Sequence, residues 1–189
     1  MSELLKRNTQ ISSHNLHCSI YSAKHSSLNK TNDESIELYG NKSHISLEII
    51  LLFMNSNWDD NLATGISNID SQNKEIFLQI NNLLFNLKQE KSKIKLIKEL
   101  DCLEKYVIKH FNEEEAIQKQ NEYPKYNLQH GQHEIFKNDL KKLRNVLESE
   151  ELSASIIVDI YEKFFKFYRK HIINLDKDLG MFLLAKFRG

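Results

Sequence analysis

Residues that break regular structure are scarce in this chain of 189 residues, which has one proline and five glycines. It also has only two cysteines. Runs of Leu, Ile, Lys and Glu favour helix over sheet, and little in the composition interrupts a helix. Cys18 and Cys102 lie far apart and form neither a CxxC pair nor a zinc-type pattern. This spacing argues against a disulfide scaffold and is typical of thiols in a reducing compartment.

An excess of one charge is also missing, because 26 basic residues balance 26 acidic ones. The chain therefore has no global field that would attract nucleic acid or an anionic membrane. The longest apolar run, residues 45–54, is interrupted by Ser46 and Glu48 and is too short to cross a bilayer. No apolar segment follows Met1 to Arg7, so no signal peptide is predicted. We expect a soluble, cytoplasmic protein that is a monomer, since no exposed coiled-coil heptad requires a partner.

Two regions follow from the pattern along the chain. Residues 1–56 are rich in Ser, Asn, His and Lys and are predicted to be a poorly ordered N-terminal arm. Residues 57–189 contain four stretches in which mainly apolar residues, with two histidines among them, recur at helical spacing. The residues at these positions are Ile76, Phe77, Ile80, Leu83, Leu84 and Leu87; Ile97, Leu100, Leu103 and Val107; Leu128, His133, Phe136, Leu140, Leu143 and Leu147; and Ile156, Ile160, Phe164, Tyr168, His171 and Leu175. Short connections between them predict an all-α fold, an up-down-up-down antiparallel four-helix bundle.

The predicted helices have definite expected limits. The first begins near Asp70 or Ser71, either of which can cap it. The second covers about residues 92–120, and Pro124 fits the first turn of the third. A short apolar tail from Met181 to Phe187 follows the fourth.

Polar residues interrupt the apolar faces of three of these helices. His110 and Glu114, four residues apart, lie on one face of the second helix. His133 lies on the third helix, and His171 with Asp176 on the fourth. Such groups are costly inside a bundle unless something charged receives them. Two carboxylates and several imidazoles are a suitable set of ligands for a pair of irons.

These positions belong to four separated motifs that occur in a specific order. The motifs are Trp58…Leu62…Gly65-Ile66…Ile69-Asp70…Gln72, His110-Phe111…Glu114-Glu115, Tyr123-Pro124…His133…Phe136, and His171-Ile172…Asp176. Over about residues 57–183 the chain resembles a bacterial hemerythrin. The resemblance implies a four-helix bundle with two non-haem irons, one capped by three histidines and the other by two, and bridged by a Glu and an Asp. It also implies that molecular oxygen binds at the open position of the iron with two histidines.

Two of the five histidines that the resemblance requires are replaced. Asn73 stands at the position of the first-helix histidine, and Gln129 stands four residues before His133. The expected metal residues are therefore His110, Glu114, His133, His171 and Asp176. The resemblance leaves only His110 on the iron with two histidines, and leaves His133 and His171 on the other. Asn and Gln amides are poorer iron ligands than imidazole.

His130 is an alternative ligand, because a shift in the start of the third helix would pair it with His133 on one face. In strict register it is rotated by roughly 100° from Gln129 and points away from the site. Phe136 downstream favours the strict register.

Two functions remain open. In the first, the protein is an oxygen-binding, non-haem di-iron carrier, store or sensor. In the second, it is a degenerate bundle that has lost metal or holds a single one, and acts as a structural or interaction module. Enzymatic activity is not expected, because the sequence shows no nucleophilic triad and no phosphate-binding glycine loop, and a di-iron oxidase would use Glu-x-x-His on two helices.

Overall fold

The computed structural model describes residues 58–89, 91–149, 157–158 and 160–188. A 3₁₀ turn, Asp60–Leu62, precedes α1 (Ser67–Lys88), α2 (Lys93–Gln120) and α3 (Tyr126–Ser149). A fourth helix, here called α4, runs through residues 161–188. Its consecutive segments are a π-helix Tyr161–Lys166, an α-helix Phe167–His171, a π-helix Ile172–Asp176 and an α-helix Lys177–Arg188. No strand occurs within these ranges, and the predicted arm, residues 1–56, lies outside them.

The helices pack as a four-helix bundle. α1 packs against α2, α2 packs against α3, and the first segment of α4 returns to pack against α1. The short connections make sequential neighbours antiparallel. The all-α fold and the bundle architecture predicted from the sequence are confirmed.

Most of the predicted apolar positions are buried. All six in α1 are at most 3% exposed. Three other positions were predicted wrongly, since Leu128 is 54% exposed and Ile97 and Leu175 are half-buried. Gln129 and Asp176, the residues that follow Leu128 and Leu175, are buried instead. Ile156 lies outside the described residues.

The ends of two helices differ from the expectation. α1 begins at Ser67, so Asp70 lies in its first turn rather than at its cap. The carboxylate of Asp70 instead accepts hydrogen bonds from Thr64 N at 2.7 Å and from Gly65 N at 3.2 Å. The predicted tail at the C-terminal side is not separate, because residues 181–187 continue α4. The Asp70 carboxylate thus fixes Thr64 and Gly65, in the loop that precedes α1, to that helix.

Cys18 lies outside the described residues, so the expectation about the two cysteines stays a prediction. Among the helices of the described ranges, none has the length and apolar character that spanning a membrane requires.

Candidate metal centre

The five residues predicted as ligands lie together inside the bundle. Each is at most 4% exposed, although they come from α2, α3 and α4. They form two groups whose ligand atoms lie within 4.8 Å of one another: Glu114 with His133 and His171, and His110 with Glu114 and Asp176. Glu114 belongs to both groups. The arrangement therefore offers two adjacent positions for a cation with a shared carboxylate between them.

A π-helical segment explains how α4 supplies two of these residues. His171 and Asp176 are five residues apart, which on a regular α-helix of 3.6 residues per turn places them on different faces. The segment Ile172–Asp176 is π-helical, with i to i+5 spacing, and so returns Asp176 to the face of His171. His171 Nε2 lies 3.1 Å from Asp176 Oδ1. The same turn moves Leu175 out of the core, which accounts for the wrong prediction at that position.

The ring of His110 is oriented by a chain of hydrogen bonds from α1. Gln72 donates from Nε2 to Glu113 Oε2, so its carbonyl oxygen faces His110. His110 Nδ1 lies 2.8 Å from Gln72 Oε1 and donates to it, since that oxygen can only accept. Nε2 then carries a lone pair, and it has no hydrogen-bond partner. The ring is held in the tautomer that a metal requires.

His133 is held in the same way by a residue of α2. Its Nδ1 lies 2.8 Å from Glu115 Oε1, which fixes the proton on Nδ1. Its Nε2 lies 3.2 Å from Glu114 Oε2 and 3.3 Å from His171 Nε2. Phe111 stacks on the ring at a centroid distance of 3.8 Å and an interplanar angle of 5°. A carboxylate behind the ring and an aromatic beside it leave Nε2 directed at the other ligands.

The two amides that replace histidines face the same interior point. Asn73 and Gln129 are fully buried. Asn73 Nδ2 donates to Asp176 Oδ2 at 2.9 Å, and Gln129 Nε2 donates to Asp176 Oδ1 at 2.9 Å. Tyr168 donates its hydroxyl proton to Asn73 Oδ1 at 2.6 Å. Both carboxylate oxygens of Asp176 therefore accept an amide hydrogen bond, and Oδ1 also lies 3.1 Å from His171 Nε2.

His130 does not replace a missing ligand. Its side chain is 42% exposed, and its Nδ1 lies 3.0 Å from Glu115 Oε2. The ring stacks on Tyr126 at a centroid distance of 5.6 Å. The strict register of α3 is therefore the correct one, and the alternative pairing of His130 with His133 on the site face is wrong.

Burial sets the protonation of the cluster in the absence of a cation. It lowers the pKa of His110 to about 4, and together with the nearby His171 it lowers the pKa of His133 to about 3. Burial and then the charge of Asp176 raise the pKa of Glu114 well above its usual range. For Asp176 burial acts to raise the pKa, but the charge and hydrogen bond of His171 outweigh it and bring the pKa to about 2. These shifts favour the neutral forms of His110 and His133, the protonated form of Glu114 and the ionised form of Asp176.

Unpartnered atoms test whether a cation fits these residues. Within the described part of the chain, four buried atoms of the candidate metal centre make no hydrogen bond: His110 Nε2, both carboxylate oxygens of Glu114, and Gln129 Oε1. Buried polar atoms without partners are rare in folded proteins and need an explanation. All four are lone-pair donors, and all lie on ligand residues or on an amide that contacts one. A cation bound among them would satisfy the set, so the residues fit a metal.

The chain is therefore of the class of metal-binding four-helix bundles, because two linked groups of histidines and carboxylates lie in the core of its helical bundle. The family model described as Hemerythrin HHE cation binding domain matches residues 64–183, which is more than half of the chain. The chain belongs to this family, as its motifs predict. No curated protein and no solved structure matches the chain.

The sequence motifs identify the five candidate ligands but not the residues that support them. Gln72 and Glu115 both belong to these motifs, and neither has a role that spacing along the sequence assigns. In the structure Glu115 is 8% exposed and touches two histidines of α3. Tyr168 was expected only as a core residue, yet its hydroxyl contacts Asn73. These roles depend on contacts between helices, which spacing within one helix does not reveal.

Proposed function

We propose that the chain is a hemerythrin-like non-haem iron protein that binds molecular oxygen at a di-iron site between its helices. One observation carries the proposal, namely the two ligand groups that share Glu114. His133 and His171 would cap one iron and His110 the other. Glu114, which belongs to both groups, would help to hold both irons, and Asp176 would help His110 to hold the second. Bound iron would supply the electrons that reversible oxygen binding exchanges.

The protein's own residues would prepare this site in several ways. Gln72 and Glu115 hold the Nδ1 protons of His110 and His133, so both rings present Nε2. Phe111, Phe136 and Tyr168 are each at most 1% exposed and exclude water from the cluster. We propose binding rather than catalysis, because the site has two carboxylates where a di-iron oxidase uses more. A monomeric state and a cytoplasmic location stay predictions.

Metal analysis combined with absorption spectra under nitrogen and then under air tests the proposal. We expect about two irons per chain, the number that family resemblance implies, and new near-ultraviolet and visible bands on exposure to air. Glu114→Ala and His171→Ala should each lower the iron content sharply. Glu134→Ala is a suitable control, since Glu134 is exposed and forms an ion pair with Lys137, which is not a candidate ligand. Unchanged iron content in both ligand variants would refute the proposal.

A second function is favoured by the hydrogen bonds of Asp176. Asn73 and Gln129 satisfy both of its oxygens without a metal. This is the arrangement expected of a bundle that has lost its oxygen chemistry and serves as a structural or interaction module. Iron near one or zero per chain, with no spectral change in air, would support this function over oxygen binding.

A further inference from the structure

We propose that the two cation positions are unequal, in an inference that rests on the proposed metal site. The position formed by Glu114, His133 and His171, completed by Gln129 Oε1, binds a divalent metal tightly. The position formed by His110, Glu114 and Asp176 binds a second one much more weakly, because Tyr168 withholds the oxygen of Asn73. The chain then passes through a stable state with one metal before it holds two.

Two hydrogen bonds fix the orientation of the Asn73 side chain. Asn73 Nδ2 donates to Asp176 Oδ2 at 2.9 Å, so the nitrogen of the Asn73 amide faces Asp176. Oδ1 must then face the other way, where the Tyr168 hydroxyl donates to it at 2.6 Å. Rotating the amide would place its oxygen against the Asp176 carboxylate and break both bonds. Asn73 is therefore held in an orientation in which its only potential ligand atom is already bonded.

Gln129 makes the same kind of contact with Asp176, but the state of its amide oxygen differs from that of Asn73. Its Nε2 donates to Asp176 Oδ1, but its Oε1 is buried and has no partner. Gln129 lies four residues before His133 on α3, so the two side chains project from the same face one turn apart. Its free oxygen is thus available to the group that contains His133. One replaced histidine leaves a usable donor, and the other does not.

The donor count then separates the two positions. The first has two imidazoles, a carboxylate and an amide oxygen, whereas the second has one imidazole, the shared carboxylate and Asp176. Imidazole is the better ligand for iron and zinc. Losing only an outer contact to a ligand lowers metal affinity by about 10- to 100-fold. The second position therefore has one donor fewer, and one imidazole fewer, which should separate the dissociation constants by about 100-fold.

A calorimetric titration of the full-length, chelator-treated protein with Fe²⁺ under nitrogen measures the binding of the first and of the second metal. In the wild type we expect two dissociation constants that differ by about 100-fold. Asn73→His, which supplies an imidazole, should lower the second constant by about 10-fold or more and change the first less than about 3-fold. Gln129→Leu should raise the first constant by about 10-fold.

Tyr168→Phe is the variant that tests the restraint on Asn73 directly, and it adds no bulk to the buried site. Removing the hydroxyl releases Asn73 Oδ1, so the second constant should fall by about 10-fold while the first is unchanged. Tyr161→Phe is the matched control, because Tyr161 is also a buried tyrosine of α4. It lies ten residues before His171, and its ring stacks on that of Phe165. Circular dichroism of each variant verifies the helical fold.

The outcomes separate this inference from the proposed function. Two steps of equal affinity in the wild type, or a second step that responds to neither Asn73→His nor Tyr168→Phe, would overturn the inequality even if the loaded protein responds to air. An unequal titration without any spectral response to air would support the inequality and count against oxygen binding. Absence of metal binding in the wild type would overturn both.

Discussion

At the scale of single residues, the buried amide of Gln118 is the clearest candidate for a stabilising substitution. The side chain is fully buried, and neither Nε2 nor Oε1 has a hydrogen-bond partner. It lies on α2 one turn after Glu114. Because an unpartnered buried polar group costs about 1–3 kcal/mol, Gln118→Leu should raise the free energy of unfolding of the metal-free protein by about that amount. Urea unfolding of the two proteins measures the difference.

Gln120→Leu is the control for this substitution, since Gln120 is exposed at the end of the same helix. It should change the free energy of unfolding by less than about 0.5 kcal/mol. A lower stability of Gln118→Leu would show instead that the amide makes hydrogen bonds in solution, for example to a buried water.

Glu115 is the residue whose loss should affect the metal without removing a ligand. Its carboxylate holds Nδ1 of His133 at 2.8 Å and Nδ1 of His130 at 3.0 Å. Without it the His133 ring loses its fixed tautomer, so Glu115→Ala should weaken the tighter metal step by about 10- to 100-fold. Calorimetric titration of metal-free protein gives the affinity, with Glu134→Ala as the unaffected reference. Equal affinities for Glu115→Ala and the wild type would show that His133 needs no support from α2.

At the scale of helices, two glycines make opposite predictions. A Cβ on Gly180 in α4 would lie 2.3 Å from Thr64 O, whereas a Cβ on Gly131 in α3 would have no atom within 4 Å. Gly180→Ala must push α4 away from the loop before α1, which should cost about 1–3 kcal/mol. Gly131→Ala only restricts the unfolded chain and should add about 0.5–1 kcal/mol. Thermal or urea unfolding of both variants measures the pair, and equal effects would contradict the close approach of Gly180.

The helices also show which features were predictable from the sequence. The regular stripe of α1 predicted its buried face correctly, because an α-helix of constant pitch preserves a spacing of three and four residues. The same assumption failed in α4, where the π-helical turn advances the register by one residue, buries Asp176 and leaves Leu175 half-buried. In α3 the stripe wrongly included Leu128, because apolar character alone does not identify Gln129 as the buried residue. Ligand identities came from the motifs, and Gln72, Glu115 and Tyr168 were missed because their contacts cross between helices.

At the scale of the whole molecule, the metal centre lies between two parts of the apolar core. A large cluster fills most of the bundle, and a smaller one contains Ile69, Tyr123, Leu179 and Leu183. Asp176 lies three residues before Leu179 on α4, about one helical turn away, so this polar layer adjoins the smaller cluster. A layer of buried imidazoles and carboxylates weakens the metal-free bundle, since each group is taken out of water. A cation that binds only the folded chain should therefore raise its stability in proportion to the logarithm of the metal concentration.

The buried histidines also predict how the stability of the metal-free protein depends on pH. The pKa of His110 is lowered to about 4 and that of His133 to about 3, so between about pH 4 and the unfolded value of about 6.5 only the unfolded chain binds their protons. Stability must then fall as the pH falls through this window.

The raised pKa of Glu114 acts with the opposite sign above its unfolded value of 4.5, because there the folded state keeps a proton that the unfolded chain releases. Two histidines against one carboxyl leave about one net proton, which corresponds to a loss of about 1.4 kcal/mol per pH unit between pH 6 and 5. Urea unfolding in the presence of a chelator at these two values measures this contribution, and His110→Leu should reduce the slope by about the same amount. A slope that is unchanged in this variant would show that His110 is protonated in the folded protein.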